Sequence, residues 1–165
     1  MGLTVDVFIA LGSNIGDREA NLRRAQKALA PAVTVRDLSS VHETAPQYVA
    51  DQPPFLNMVL RGATDLTPRD LLVLLKGLER DLGRTPSRRF GPRLIDLDIL
   101  YYEDQIVNEV DLQIPHPRIS ERDFVLKPLA EIAPDRRHPI TGKTTGEMLN
   151  CLVSGNNHDA PHCRD

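Results

Sequence analysis

Asp96 and Asp98 sit in the run Leu94-Ile-Asp-Leu-Asp-Ile-Leu-Tyr-Tyr102, and Arg88, Arg89 and Arg93 precede them around Gly91-Pro92. The run is apolar and β-branched enough to predict a strand. Strand residues two apart point to the same face, with α-carbons about 6.5 Å apart. On a helix the same pair would diverge by about 200° and could not share a ligand. Two same-side carboxylates invite hard divalent cations, and two Mg²⁺ ions about 3.5–4 Å apart would fit between them. The neighbouring guanidinium groups can cradle phosphate oxygens through paired hydrogen bonds. Carboxylates for a metal beside arginines for phosphate imply chemistry on a polyphosphate. A lone D-x-D would be better read as a strand-edge ion-pair network. The three arginines and the Gly-Pro bend favour the functional reading.

A frame for these residues is legible along the chain. Residues 4–11 read as a strand ending in a tight turn at Gly12-Ser13-Asn14-Ile15-Gly16-Asp17, with Asp17 as a helix cap. A helix is predicted over residues 18–29, with Leu22, Ala25 and Leu29 on one face. Residues 33–41 read as a second strand and 44–54 as a proline-bearing loop. Residues 55–63 form a third strand, with Phe55, Asn57, Val59 and Arg61 facing one way. An Asn beside an aromatic on a strand face can read the polar edge of a planar ring; taken alone, it counts as an incidental polar residue. A second helix covers residues 67–82, opened by Thr67-Pro68, closed by Gly83 and striped by Leu71, Leu74, Leu75, Leu78 and Leu82. Lys76 and Glu79 share a neighbouring face, and on their own form a surface ion pair worth a few tenths of a kcal/mol.

A basic loop over residues 84–92 delivers the chain into the Asp96/Asp98 strand. Residues 105–110 then read as its short hairpin partner. Ile114-Pro-His-Pro-Arg118 is stiffened by two prolines and precedes Arg122 and Phe124. The order β-α-β-β-α-β plus an extension predicts a ferredoxin-like α+β fold, with both helices on one face of an antiparallel sheet.

With 165 residues, 41% of them hydrophobic, the chain suits one well-buried domain, expected over residues 1–150. Residues 151–165 read as a flexible tail. The net charge of −3 argues against a general nucleic-acid binder. Positive charge is nonetheless concentrated locally: between Lys76 and Arg93, six basic residues face only Glu79 and Asp81. Cys151, His158, His162 and Cys163 match no standard zinc spacing. No Walker-type loop is present, since residue 137, where the first glycine before Gly142-Lys143-Thr144 would stand, is Arg137. Lacking a signal pattern or a long apolar run, the chain reads as cytoplasmic, with no membrane partner.

Taken together, these residues closely resemble the 6-hydroxymethyl-7,8-dihydropterin pyrophosphokinase family of folate biosynthesis, over residues 5–134. The most specific piece is Arg89-Phe-Gly-Pro-Arg-Leu-Ile-Asp-Leu-Asp-Ile-Leu100. It is supported in order by Ala10-Leu-Gly-Ser-Asn14, Thr44-Ala-Pro46, Phe55-Leu-Asn57, Glu79 with Gly83-Arg84, and Pro115-His-Pro-Arg118 leading to Arg122 and Phe124-Val-Leu.

The resemblance implies ATP-dependent transfer of pyrophosphate to the pterin hydroxymethyl group, with AMP released. Asp96 and Asp98 match the family's ligands for two Mg²⁺ ions, and Arg84 and Arg93 its catalytic arginines. Phe55 and Phe124 match aromatics that sandwich the pterin. Thr44 and Asn57 match hydrogen-bonding groups at its polar edge, and Ala45, Phe90 and Asp96 fall in the same substrate site. Lys76, Glu79, Arg84, Arg89, Arg93, Ile99, His116 and Arg122 fall where the family contacts the nucleotide. Three positions depart from the best-known pattern. Phe90 replaces a frequent Trp, Lys76 stands for a frequent amide, and Asp111 sits at a position that is basic in some members. ATP and the pterin are the expected partners, acting on a monomer without nucleic acid. The competing classes are an RNA-binding module, which would need exposed sheet aromatics, and a regulatory domain that binds without turnover.

Overall fold

The structure, a computed structural model, describes residues 3–44, 54–83 and 94–155. Its central strand, β1 (Val5–Ser13), sends alternate side chains to opposite faces. Val7, Ile9 and Leu11 enter one apolar cluster with Leu22, Ala25 and Leu29 of α1 (Arg18–Leu29) and Leu71 and Leu75 of α2 (Pro68–Gly83). Phe8 enters a second cluster on the other side. Both helices begin as expected: the Asp17 carboxylate accepts from Ala20 N at 3.1 Å, and the Thr67 hydroxyl from Asp70 N at 3.1 Å. Gly16, with φ +68°, turns the chain between strand and helix.

The sheet runs β2 (Thr34–Leu38), β4 (Phe55–Thr64), β1, β5 (Asp96–Tyr102), with every adjacent pair antiparallel. With α1 and α2 on one face, this is the anticipated ferredoxin-like α+β arrangement. The extension covers the other face. Val125, Leu126 and Leu129 of α3 (Asp123–Ile132) and Met148 of α4 (Thr145–Gly155) pack there with Phe8, Val59, Leu100 and Tyr101. The expected domain boundary at residue 150 falls inside α4, and His158, His162 and Cys163 lie outside the described residues.

Two strand expectations are corrected. The segment 33–41 is not one strand. It breaks after Leu38, and a short β3 (His42–Thr44) resumes against β4. Ser39 causes the break: its N–H donates to Val59 O and its hydroxyl accepts from Val59 N, both at 2.9 Å. A side chain thus takes over a ladder bond.

Nor does the segment after β5 pair back onto it. Glu103 adopts φ 49°, the chain turns away, and β6 (Val107–Glu109) pairs with β7 (Leu112–Ile114) in a separate two-stranded sheet. Burial of Leu112 and Ile114 in the first cluster favours this arrangement. Asp111 accepts from Arg69 of α2 at 2.8 Å through both carboxylate oxygens.

β5 carries one extra residue relative to β1. Ile9 pairs with Ile99 and Phe8 with Tyr101, so Leu100 is left over as a bulge. Below the bulge Leu97 and Ile99 point into the first cluster; above it Tyr102 does, while Leu100 and Tyr101 both enter the second. Asp96 and Asp98 therefore face the side covered by α3.

Candidate active site

The register across the three central strands assembles the site. Gly12 of β1 lies opposite Asn57 of β4 on one side and opposite Asp96 of β5 on the other. Ala10, two residues earlier, lies between Val59 and Asp98 in the same way. Val59 belongs to the second cluster, so Phe55, Asn57, Asp96 and Asp98 share one face of the sheet. Asn57 and Asp96 stand two strand spacings apart, about 9.5 Å, with no side chain between them because the intervening residue is glycine. A Cβ on Gly12 would meet Asn57 Oδ1 at 3.0 Å and Phe55 Cδ1 at 3.7 Å. Gly12 is the floor of a slot. In the sequence it reads as part of a turn, although an isolated strand glycine does signal close approach.

The slot's other walls come from β3 and α3. Asn57 Nδ2 donates to Thr44 Oγ1 at 2.8 Å, which fixes the amide and leaves its carbonyl oxygen over Gly12. Phe124, on the first turn of α3, packs against the second cluster, with the Arg122 guanidinium 5.5 Å from its ring centroid. Arg122 Nε is buried without a hydrogen-bond partner.

Three acidic groups gather at β5. Glu79 Oε2, from α2, accepts from Leu97 N at 2.9 Å, the amide between the two aspartates. Lys76 Nζ lies 3.3 Å from Glu79 Oε1, so this pair is tied to the aspartate strand rather than being a bare surface contact. Burial raises the Glu79 carboxyl above the usual range; the Leu97 bond opposes this and the nearby Asp96 adds to it. Asp98 is pushed up to about 7, first by burial and then by the charges of Asp96 and Glu79, with Lys76 and Arg122 opposing. Among the described residues, negative charge prevails at the site.

Oxygen donors in a negative well suit Mg²⁺, which takes one or two carboxylates and completes its octahedron with water and phosphate. Among the described residues no group of three or more His, Cys, Asp or Glu side chains could hold a metal. Glu79 bears on the pair through its charge and through its bond to the Leu97 amide.

His116 is pushed down to about 4, mainly by burial and then by Arg122, so it is neutral at pH 7. Its Nδ1 accepts from Arg118 N at 3.2 Å, which leaves the proton on Nε2 as a donor. His116 N also bonds the carbonyl of the bulge residue Leu100 at 3.0 Å, hanging this loop on β5. Ile99 departs from the rest, because its side chain is buried in the first cluster, on the face opposite Asp98. Like Leu97 two residues before it, Ile99 turns its backbone amide to the free edge of β5. Ala45, Arg84, Arg89, Phe90 and Arg93 lie outside the described residues.

Comparison with known proteins gives the same neighbourhood. The sequence model of 7,8-dihydro-6-hydroxymethylpterin-pyrophosphokinase matches residues 8–134. The Bacillus subtilis 2-amino-4-hydroxy-6-hydroxymethyldihydropteridine pyrophosphokinase is 47% identical over 142 residues, 85% of this chain and 85% of that protein. A folic acid synthesis protein of Dictyostelium discoideum is 44% identical over 156 residues, 94% of this chain. This chain spans only 24% of that protein's length, and a similar fraction of the plant bifunctional relatives, such as 25% of the one from Pisum sativum. Among solved structures, Plasmodium falciparum HPPK-DHPS with pteroate superposes with a TM-score of 0.78 at 15% identity, covering 96% of this chain and 46% of that one. That likeness is one of fold. A match running from β1 past α3, together with 47% identity to a relative of similar length, shows that the chain belongs to the 7,8-dihydro-6-hydroxymethylpterin-pyrophosphokinase family.

Proposed function

We propose that the chain transfers the terminal pyrophosphate of ATP to the hydroxymethyl oxygen of 6-hydroxymethyl-7,8-dihydropterin, releasing AMP. The observation that carries this reading is the row Asn57–Gly12–Asp96, which joins a polar ring-reading edge to a carboxylate pair across a side-chain-free floor. Phe55 and Phe124 stack the pterin, while Asn57 and Thr44, with Ala45 beside them, bind its polar edge. Asp96 and Asp98 would hold two Mg²⁺ ions. Magnesium bound there would neutralise the triphosphate and lower the pKa of the attacking alcohol. Arg84 and Arg93 stabilise charge on the phosphates during in-line attack at the β-phosphorus. The neutral His116 donates from Nε2 to a phosphate oxygen, and Arg122 supplies its unpartnered Nε. Lys76, Glu79, Arg89 and the edge-facing backbone of Ile99 border the nucleotide, and Phe90 covers the pterin. A cytoplasmic monomer is the simplest form of this enzyme. No helix among the described residues is long and apolar enough to cross a membrane.

Incubation with ATP, Mg²⁺ and the hydroxymethylpterin tests the reading, because AMP and pterin diphosphate must appear together. Formation of ADP would mean single phosphoryl transfer, and no turnover would favour a binding module. An RNA-binding sheet gains no support, since α3 and α4 cover the face it would need.

Gly12→Ala provides a local check. The new methyl presses on Asn57 Oδ1, so the pterin KM should rise about tenfold, roughly 1.4 kcal/mol. Alanine is the better strand residue, so the melting temperature should hold or rise. An unchanged pterin KM would remove Gly12 from the slot.

A further inference from the structure

We infer that Glu131, with Ser40 and His42, is a positioning clasp that sets the width of the pterin slot. This rests on the pterin reading of the site proposed above. Glu131 Oε2 accepts from Ser40 N at 2.9 Å, and Oε1 accepts from Ser40 Oγ at 2.6 Å and pairs with His42 Nε2. One carboxylate therefore takes three partners from the stretch where β2 breaks and β3 begins. Those bonds hold the Glu131 carboxyl down at about 2.

The set resembles a Ser-His-acid triad but cannot act as one. Glu131 meets the same imidazole nitrogen that Ser40 faces, and the Ser40 proton goes to the carboxylate instead of the ring.

What the clasp joins is the informative part. On the strand side, His42 pairs with Asn57 and Thr44 with Phe55, so β3 is the backing of the ring-reading wall. On the helix side, Glu131 and Phe124 are seven residues apart (131 − 124) on α3. Seven residues rotate by about 700°, so the two side chains lie within about 20° of one face, separated by about 10.5 Å along the axis. Val125, Leu126 and Leu129 give α3 an apolar, non-directional seat on the sheet. Such a seat permits sliding by fractions of an ångström. The three polar bonds of Glu131 do not. They tie the helix that carries Phe124 to the strand wall that carries Thr44, and so determine how far Phe124 stands from Phe55. Ser39, bonded to Val59 through both N–H and hydroxyl, anchors the strand end of the clasp to β4.

A positioning role separates from a merely structural one in the kinetics. For Glu131→Ala, AMP formation should show a pterin KM raised about tenfold, equivalent to roughly 1.4 kcal/mol. The ATP KM and kcat should stay within about twofold of wild type. Glu131→Gln keeps an acceptor for Ser40 and should recover part of the pterin KM. Should Glu131→Ala fail to fold, Ser40→Ala removes the hydroxyl bond alone and should raise the pterin KM about threefold. A pterin KM within twofold of wild type in a folded variant, or an equal rise in both KM values, would overturn the clasp. Wild-type protein in the same assay reports separately on the parent reading: if it makes no AMP, the pterin assignment fails first.

Discussion

Asp98→Ala should abolish AMP formation, lowering kcat by at least about 10³, while the protein still folds. Asp98 shares its face with Asp96 because they are two apart on β5, and the Leu100 bulge changes the phase of the strand only after them. Removing either carboxylate leaves the triphosphate without a clamp on its charge. The same substitution should alter stability in the opposite sense. The Asp98 carboxyl is pushed up from 3.8 to about 7 by burial and by Asp96 and Glu79. An acid whose folded pKa is raised favours folding below its unfolded value and loses that contribution as pH climbs through the folded value. Metal-free protein should therefore become less stable between about pH 4 and pH 7, by on the order of a few kcal/mol. Asp98→Ala should flatten that slope, and Mg²⁺ with a non-hydrolysable ATP analogue should flatten it in the wild type. Thermal melts across the pH series, with EDTA or with Mg²⁺, read this directly. Undiminished turnover in Asp98→Ala at saturating Mg²⁺ would end the metal assignment.

Arg93→Ala should lower kcat by about 10²–10³, the usual cost of losing one charge-stabilising donor. Arg93 lies outside the described residues, and the expectation rests on its place in the family motif. Arg93→Lys should restore little, because an ammonium cannot make the paired, planar contact of a guanidinium with phosphate. Single-turnover measurements separate the chemical step from release. If the chemical rate in Arg93→Ala equals that of the wild type, Arg93 has no part in it.

Much of the fold is legible in the sequence, because its signals are local. A two-residue period placed Asp96 with Asp98 and Phe55 with Asn57, and the Asp17 and Thr67 caps marked the two helix starts. The leucine stripe of α2 predicted which side it buries, although Leu71 and Leu75 carry most of that burial. Where a local signal met a competing partner it misled. Ser39 took a ladder bond and split the second strand, and Leu112 and Ile114 drew the hairpin away from β5.

The site itself needed the third dimension. Gly12 becomes a floor only because antiparallel pairing sets it between Asn57 and Asp96, residues 45 and 84 positions after it along the chain (57 − 12 and 96 − 12). Glu79 looked like half of a surface ion pair until the packing of α2 brought it to the amide of Leu97. Glu131 carried no signal at all, since its partners lie about ninety residues earlier in the chain. Periodicity and capping are properties of a few consecutive residues and survive in a linear reading. Register, and the bonds made across it, depend on which distant segments meet, and that is decided by the burial of the whole core.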